Sequence, residues 1–511
     1  MKNSVRELLQ SDPTSVFEVR HGIERECLRV TKEGHISNMP HPAGLGAKLT
    51  HKSITTDYSE NLLEFITDVH ASSKEMFREL ESLHAFTNKK MGQELLWPYS
   101  MPAILPADER EIPVANFGQS HVGKMKSLYR EGLGHRYGKS MQSIAGLHYN
   151  FSMSDTFWKT LLERESFKGS LTEFKNQKYF HLIRNFRRYR WLLMYFFGVS
   201  NIVHESFLVG KKHNLEKLTQ DSYYDPNALS LRMGGLGYTS SAQGEISICF
   251  NKVDSYINTL EEARLKSVPA YEKIGVFKNG KRLQLNSNLL QIDNEFYSTI
   301  RPKNIAKSKE SALKALHLRG IEYIEVRLTD INPFSPLGVS REQVGFLQLF
   351  LLWCLQTESP IITDKECAEL EANFSKVVSF GRQPSIKLSR NDEKIDLKDW
   401  ALEIMDEIGT LANQLSTASP YYITAYDSFA RVLDSSDLQL AQKLLNSVRT
   451  QSFVKFNLDL ANEYKTDIKI DQVDQDNLEK YTLDSITAEK ELVKNSKGDF
   501  EEFLVSYFKD I

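Results

Sequence analysis

Acidic, imidazole and guanidinium side chains lie two residues apart on short segments far from one another in the chain. Glu24 and Glu26 stand in HGIERECLRV, His148 and Asn150 in GLHYNF, Glu325 and Arg327 in IEYIEVRL, and Asp57 and Glu64 bracket TTDYSENLLEF. In a strand, residues i and i+2 share a face and sit roughly 6.5–7 Å apart. Each pair therefore lines one wall, and several walls together can hold hard divalent cations against a polyanion, as Mg²⁺ does when it bridges carboxylates and phosphates. The alternative for any single pair is a solvated strand edge. Glu24 and Glu26 speak against it, because they interrupt an otherwise apolar, β-rich segment.

The elements that position these residues follow from pattern. The stretch 73–92 has apolar spacing of three and four and reads as a helix, and 154–200 is mostly helical. Within the latter, Arg184, Arg187, Arg188 and Arg190 precede an aromatic run and read as a solvated or snorkelling face. Residues 228–252 and 275–300 carry strand and turn character, 319–331 forms the last strong strand, and helix dominates after about 340. From Phe456 onward, 14 acidic residues face 7 lysines and no arginine, which predicts an acidic helical tail lying on the surface. Strands gathered in the first two thirds and helices in the last predict an α+β fold rather than alternating βαβ units.

With 511 residues, 41% hydrophobic and 26% charged, the chain has the composition of a soluble globular protein and length for a large core. A net charge of −3 gives no general electrostatic reason to expect nucleic acid. The apolar runs 191–199 and 346–355 are too short to span a bilayer and read as buried helices, so no membrane partner is expected. The N-terminus reads as an amphipathic helix without the apolar stretch of a signal peptide. Cys27, Cys249, Cys354 and Cys367 show no metal-binding spacing, so a reduced, cytoplasmic protein is expected.

Familiar phosphate motifs fail. GQSHVGKM (118–125) has the glycine and lysine spacing of a P-loop, but Met125 occupies the position of the metal-binding hydroxyl and the preceding EIPVANF is a poor strand. RMGGLGYTS lacks the spacing and context of a dinucleotide-binding turn. A nucleotide would have to be held through metals and arginines.

The blocks GIERECLRV, LTHKSITTDYSENLLEFIT, WPYSMP, LYREGLGHRYG, QSIAGLHYNFS, SLRMGGLGYTS, LQLNSNLLQIDNEFY, RPK and RGIEYIEVRLTDINPFSP follow one another between about residues 15 and 356. This ordered series closely resembles glutamate–cysteine ligase of the bacterial type, also called γ-glutamylcysteine synthetase. The resemblance implies a glutamine-synthetase-like architecture: a curved antiparallel sheet forming a funnel, with helices outside. It also implies a single catalytic unit over 1–511, with the sheet in about 15–356 and a mostly helical region in 357–511. By resemblance, Glu24, Glu26, Asp57, Glu64, His148 and Glu325 take the Mg²⁺ sites, two or more in number and open to Mn²⁺, with Asn150 beside them. Arg327 and Arg130 match the cations that meet the ATP phosphates, and Arg232 matches the position that holds the α-carboxylate of glutamate. Tyr58, Tyr129, Tyr238 and Tyr297 match an aromatic and hydroxyl pocket for the incoming cysteine. Tyr58 stands where the best-known bacterial pattern has Phe, which adds a hydroxyl to the pocket wall.

The implied reaction is ATP-dependent ligation of the γ-carboxylate of L-glutamate to the amine of L-cysteine through a γ-glutamyl phosphate, the first step of glutathione biosynthesis. Feedback inhibition by glutathione is part of the same implication. Another ATP-dependent carboxylate–amine ligase on the same scaffold, or a non-catalytic relative, remains the alternative. None of the metal or phosphate positions is replaced here.

Overall fold

The computed structural model describes residues 4–237, 248–307 and 310–509. Its centre is an antiparallel sheet built from β1 (Val19–Val30), β2 (Ile54–Thr56), β3 (Leu62–Ile66), β4 (Leu95–Leu96), β5 (Leu147–Met153), β6 (Ile300–Lys303) and β7 (Tyr323–Thr329). The strand order is β6-β7-β5-β1-β3-β2, and β4 pairs with the far end of β1. Period-two alternation decides which face is which. Ile23, Cys27, Leu147, Tyr149, Phe151, Ile324, Val326 and Leu328 are buried in the core, and the alternate residues Glu24, Glu26, His148, Asn150, Glu325 and Arg327 point the other way. A register irregularity between Val326 and Thr329 bends β7 just past Arg327.

Six helices matter for the site: α1 (Ser73–Lys90), α2 (His121–Tyr137), α3 (Leu171–Phe197), α4 (Arg341–Gln356), α5 (Asp364–Phe380) and α6 (Gln472–Asn495). Helices α3 and α4 each begin with a capping box, Ser170 with Glu173 and Ser340 with Gln343, so both starts are fixed locally. Their apolar faces interlock through edge-on aromatic pairs, Phe186 with Phe350 and Phe196 with Phe346. The two apolar runs are thus buried helices, and no helix among the described residues is long and apolar enough to cross a membrane. The P-loop-like segment opens α2 instead: Ser120 caps it by accepting from the Gly123 amide at 3.1 Å.

Two expectations need correction. Strand structure does not end near 331, because Lys387–Arg390 and Glu393–Asp396 form a hairpin. Its two turn residues, Asn391 and Asp392, both take positive φ, the geometry that matches strand twist in a two-residue loop. The four arginines of α3 are not a solvated face either. Arg184, Arg187, Arg188 and Arg190 are all buried. Arg188 pairs with Glu366 at 2.6 Å, Arg187 with Glu371 at 2.7 Å and Arg190 with Glu371 at 2.6 Å, so a facing acidic helix supplies what solvent was expected to supply.

The acidic tail is helical and folds back on the N-terminal half. Arg78 of α1 meets Asp471 at 2.7 Å and Lys90 meets Glu479 at 2.5 Å, while Ser82 donates to Asp474 at 2.8 Å. The last helix, Phe500–Lys509, buries Leu504 with Met125, Leu128 and Leu285. All four cysteines are free.

Candidate active site

Strand register assembles the polar face. Glu26 of β1 lies opposite Glu64 of β3, and Glu24 opposite His148 of β5. Asn150 lies opposite Glu325 of β7, which in turn lies opposite Arg301 of β6. Directly opposed residues share a face, so five segments distant in sequence form one polar row across the sheet. Asp57 and Tyr58 reach it from the β2–β3 turn, closed by the Asp57 amide bonding to the Leu62 carbonyl at 2.9 Å.

His148 is the hub. Its Nδ1 lies 3.3 Å from Glu24 and 3.5 Å from Glu325, and its Nε2 lies 3.6 Å from Glu26. Ligand atoms of Glu24, His148 and Glu325 all fall within 4.8 Å of one another. Arg327 donates to Glu325 at 2.8 Å, Asn150 to Glu24 at 2.9 Å, and the Gly146 amide to Glu26 at 2.6 Å.

Electrostatics divides the row. Burial raises the Glu325 carboxyl, but Arg327, Lys303 and His148 outweigh it and hold the group well below its ordinary range. Burial and Glu325 likewise raise Glu24, yet the His148 hydrogen bond leaves it below its usual value. On the other side, burial and the charge of Asp57 push Glu26 up to about 8, against Arg232 and Arg327. Glu64 is pushed well above its ordinary value by burial and then by Glu24, Asp57 and Glu26. Carboxylates crowded without enough positive charge make a site for cations. The buried Glu325 Oε2 and Asn150 Oδ1 atoms also have no hydrogen-bond partner among the described residues. Oxygen donors in this number fit a hard divalent ion, with His148 as the one nitrogen donor.

A cavity of about 710 Å³ opens beside this row. Of the expected residues, Glu26, Asp57, Tyr58, Tyr129, Arg130, His148, Arg232, Tyr297 and Arg327 line it, while Glu24, Glu64, Asn150 and Glu325 stand in the row without lining the cavity. Tyr238 lies outside the described residues. Arg130 donates through Nε to the Asp57 carbonyl and stacks on Phe117 at 4.3 Å. Arg232 donates to the Arg327 carbonyl at 2.9 Å and sits 3.6 Å from Asp330. Tyr297 accepts from Gln142 at 2.9 Å. Tyr58 is fully buried, and its extra hydroxyl has no hydrogen-bond partner among the described residues.

Sequence reasoning missed part of the lining. Arg301 lines the cavity opposite Glu325, and Lys303, which does not line it, lies 3.7 Å from Glu325; their i, i+2 spacing in IRPK was the available signal. Arg187, Arg190 and Glu371 also line the cavity. The two arginines stand three apart on one helix face, a spacing shared by many surface helices, so only their partner on α5 distinguishes them.

Comparison with known proteins gives the family. The family model described as glutamate-cysteine ligase matches residues 6–377. Glutamate–cysteine ligase of Pseudomonas fluorescens (strain Pf0-1) is 44% identical over 95% of this chain and 93% of its own, and that of Pseudomonas aeruginosa (strain UCBPP-PA14) is 42% identical over 96% and 94%. Among solved structures, glutamate–cysteine ligase of Francisella tularensis in complex with AMP superposes with a TM-score of 0.91 at 36% identity, covering 96% of this chain and 97% of that one. A bifunctional glutathione synthetase from Pasteurella multocida superposes at 0.71 with 26% identity, over 90% of this chain and 54% of that one. With an acid-lined antiparallel sheet and matches over nearly its whole length, the chain belongs to the glutamate–cysteine ligase family of enzymes.

Proposed function

We propose that this enzyme joins the γ-carboxylate of L-glutamate to the amine of L-cysteine, using ATP and forming a γ-glutamyl phosphate on the way. The observation that carries the reading is one cavity in which Glu26, Asp57 and His148 face Arg130, Arg232 and Arg327. The AMP held by the Francisella relative supports an adenine nucleotide as co-substrate. A carboxylate must be activated before an amine can form an amide with it. Phosphorylation brings two anions within ~3–3.5 Å, which requires positive charge on both. Glu24, Glu26, Asp57, Glu64, His148 and Glu325 would hold Mg²⁺, or Mn²⁺ in its place, which when bound neutralises phosphate charge and leaves positions open for phosphate oxygens.

The protein's own groups supply the rest. Arg327, oriented by Glu325, and Arg130, fixed on the Asp57 carbonyl, face the phosphates. Arg232, anchored to the Arg327 carbonyl, takes the glutamate α-carboxylate, with Asn150 steadying Glu24 behind it. Tyr58, Tyr129 and Tyr297 of the cavity wall enclose the acceptor, where aromatic rings suit a small thiol, and Tyr238 is assigned to the same pocket by the family resemblance alone. An end product carrying the same γ-glutamyl group, such as glutathione, would compete for the glutamate position. The free cysteines support a reducing, cytoplasmic setting, and the tail packed on α1 supports one catalytic unit over 1–511.

Purified protein with ATP, L-glutamate, L-cysteine and Mg²⁺ tests this. γ-Glutamylcysteine, ADP and phosphate are expected in equal amounts, with 2-aminobutyrate accepted at a loss of about 1–3 kcal/mol in specificity and serine worse. AMP and pyrophosphate as products would refute the phosphate intermediate. Preference for serine or ammonia would move the assignment to a ligase with another acceptor, and no turnover at all would point to a non-catalytic relative.

A further inference from the structure

One part of the cavity wall has no role in the scheme above. Arg187 and Arg190 of α3 are each 5% exposed, and both line the cavity with Glu26, Arg232 and Arg327. A single carboxylate serves the two of them: Glu371 places Oε1 at 2.7 Å from Arg187 and Oε2 at 2.6 Å from Arg190. Two buried guanidiniums against one carboxylate leave a positive charge uncompensated, an expensive arrangement unless an anion completes it.

The guanidiniums are also fixed in orientation. Arg187 lies over the Phe250 ring at 4.3 Å and Arg190 over the Phe374 ring at 4.5 Å. Stacking holds the planes and leaves their edges, where the N–H donors project, for partners. Those edges are under-used. Both hydrogen bonds of Arg187 run through Nη2, one to Glu371 and one to the weak acceptor Cys367 Sγ at 3.4 Å. The buried Nε of Arg190 has no hydrogen-bond partner among the described residues. The pair is tied to the reacting face: Arg190 donates to the Thr299 hydroxyl at 2.8 Å, and the Thr299 carbonyl accepts from the Arg327 amide at 2.9 Å.

We propose that Arg187 and Arg190, braced by Glu371, Phe250 and Phe374, form a second carboxylate-recognising pole of this cavity, which binds the α-carboxylate of an amino-acid substrate. The proposal rests on the ligase reading above. It adds binding residues that set which amino acids are accepted, beyond Arg232. A planar carboxylate matches the fork of a guanidinium edge, and a Lys at either position would not reproduce that match.

The test pairs side-chain removal with carboxylate removal. Arg187→Met, Arg190→Met and the Arg190→Lys variant of the full chain are assayed with L-glutamate and with 4-aminobutyrate, which keeps the γ-carboxylate but lacks the α-carboxylate. They are assayed in parallel with L-cysteine and with cysteamine, which lacks the acceptor carboxylate. The expected result is a rise of at least tenfold in KM for one amino acid, with kcat and the KM for ATP within threefold. That rise should vanish with the carboxylate-free analogue of the same substrate, and Arg190→Lys should recover only part of it. The affected analogue pair identifies which substrate the pole reads. Equal losses with intact and carboxylate-free substrates, or a loss in kcat and thermal stability alone, would overturn the proposal and leave the arginines as a brace between α3 and α5. Failure of wild-type ligation would overturn the ligase reading itself, a separate outcome.

Discussion

Glu26 carries the most informative charge in the site. In the protein without divalent ions, burial and Asp57 place its carboxyl at about 8, so near neutrality it holds a proton that a metal ion would have to displace. Divalent-ion binding should therefore release protons, and its affinity should rise with pH up to about 8. Calorimetry in buffers of different ionisation enthalpy measures this directly. Glu26→Gln should abolish most of the proton release and lower turnover by at least about 100-fold, the upper end of losses seen when support of a metal site is removed. Unchanged proton release in that variant would remove Glu26 from the ligand set. Arg327→Lys should cost turnover more than glutamate affinity, because it keeps the charge beside Glu325 but loses the planar fork. If only the glutamate KM moved, the phosphate role of Arg327 would be wrong.

The elements show why some of this is readable in the chain and some is not. In β1, β5 and β7 a period-two pattern forces Glu24 with Glu26, His148 with Asn150 and Glu325 with Arg327 onto the face opposite Ile23, Tyr149 and Val326. That inference needs no partner strand. Pairing Glu26 with Glu64 needs the register, and register depends on turns and tertiary packing. The arginines of α3 mislead for the same reason, since their burial depends on α5, nearly two hundred residues away. Tyr58 shows the coupling between elements. Glycine at 134 of α2 leaves room for the Tyr58 hydroxyl, and a Cβ there would collide with it. Gly134→Ala gains about 1 kcal/mol in helix propensity, but overpacking a buried ring costs about 1–3 kcal/mol, so packing wins. The variant should be less stable, and the displaced ring should raise the KM for cysteine several-fold while the KM for ATP stays put. A stabilised variant with unaltered cysteine KM would show that Tyr58 does not shape the acceptor pocket.

At the scale of the whole molecule, the buried titratable groups oppose one another and fix where the chain is most stable. Burial pushes His21, His51 and His181 down to about 4, and burial with Lys48 and Arg29 pushes His41 to about 3. Their ordinary value is 6.5, so between about 6.5 and 4 the unfolded chain binds protons that the native one does not, and stability falls as pH falls. Glu26 and Glu64 act in the opposite sense in the metal-free protein. Their native values are raised above 4.5, so their contribution is complete below 4.5 and is lost as pH rises through about 8 for Glu26. Each group is worth at most about 1.4 kcal/mol per pH unit within its window. Below 6.5 seven lowered histidines, these four with His84, His148 and His204, outnumber the raised carboxyls Glu26, Glu64 and Glu295. From 6.5 to about 8 the carboxyls dominate, until Lys126, pushed down to about 8 by burial, adds the opposite slope. Denaturant unfolding with chelator present should therefore give a stability maximum near pH 6.5, falling on both sides. Glu26→Gln should flatten the alkaline limb and leave the acid limb in place, and saturating divalent ion should remove the alkaline loss by taking the proton's position on Glu26. Stability that kept rising from pH 6.5 to 8 without metal would mean that Glu26 is already ionised in the native protein, and the crowding of uncompensated carboxylates argued for this site would be wrong.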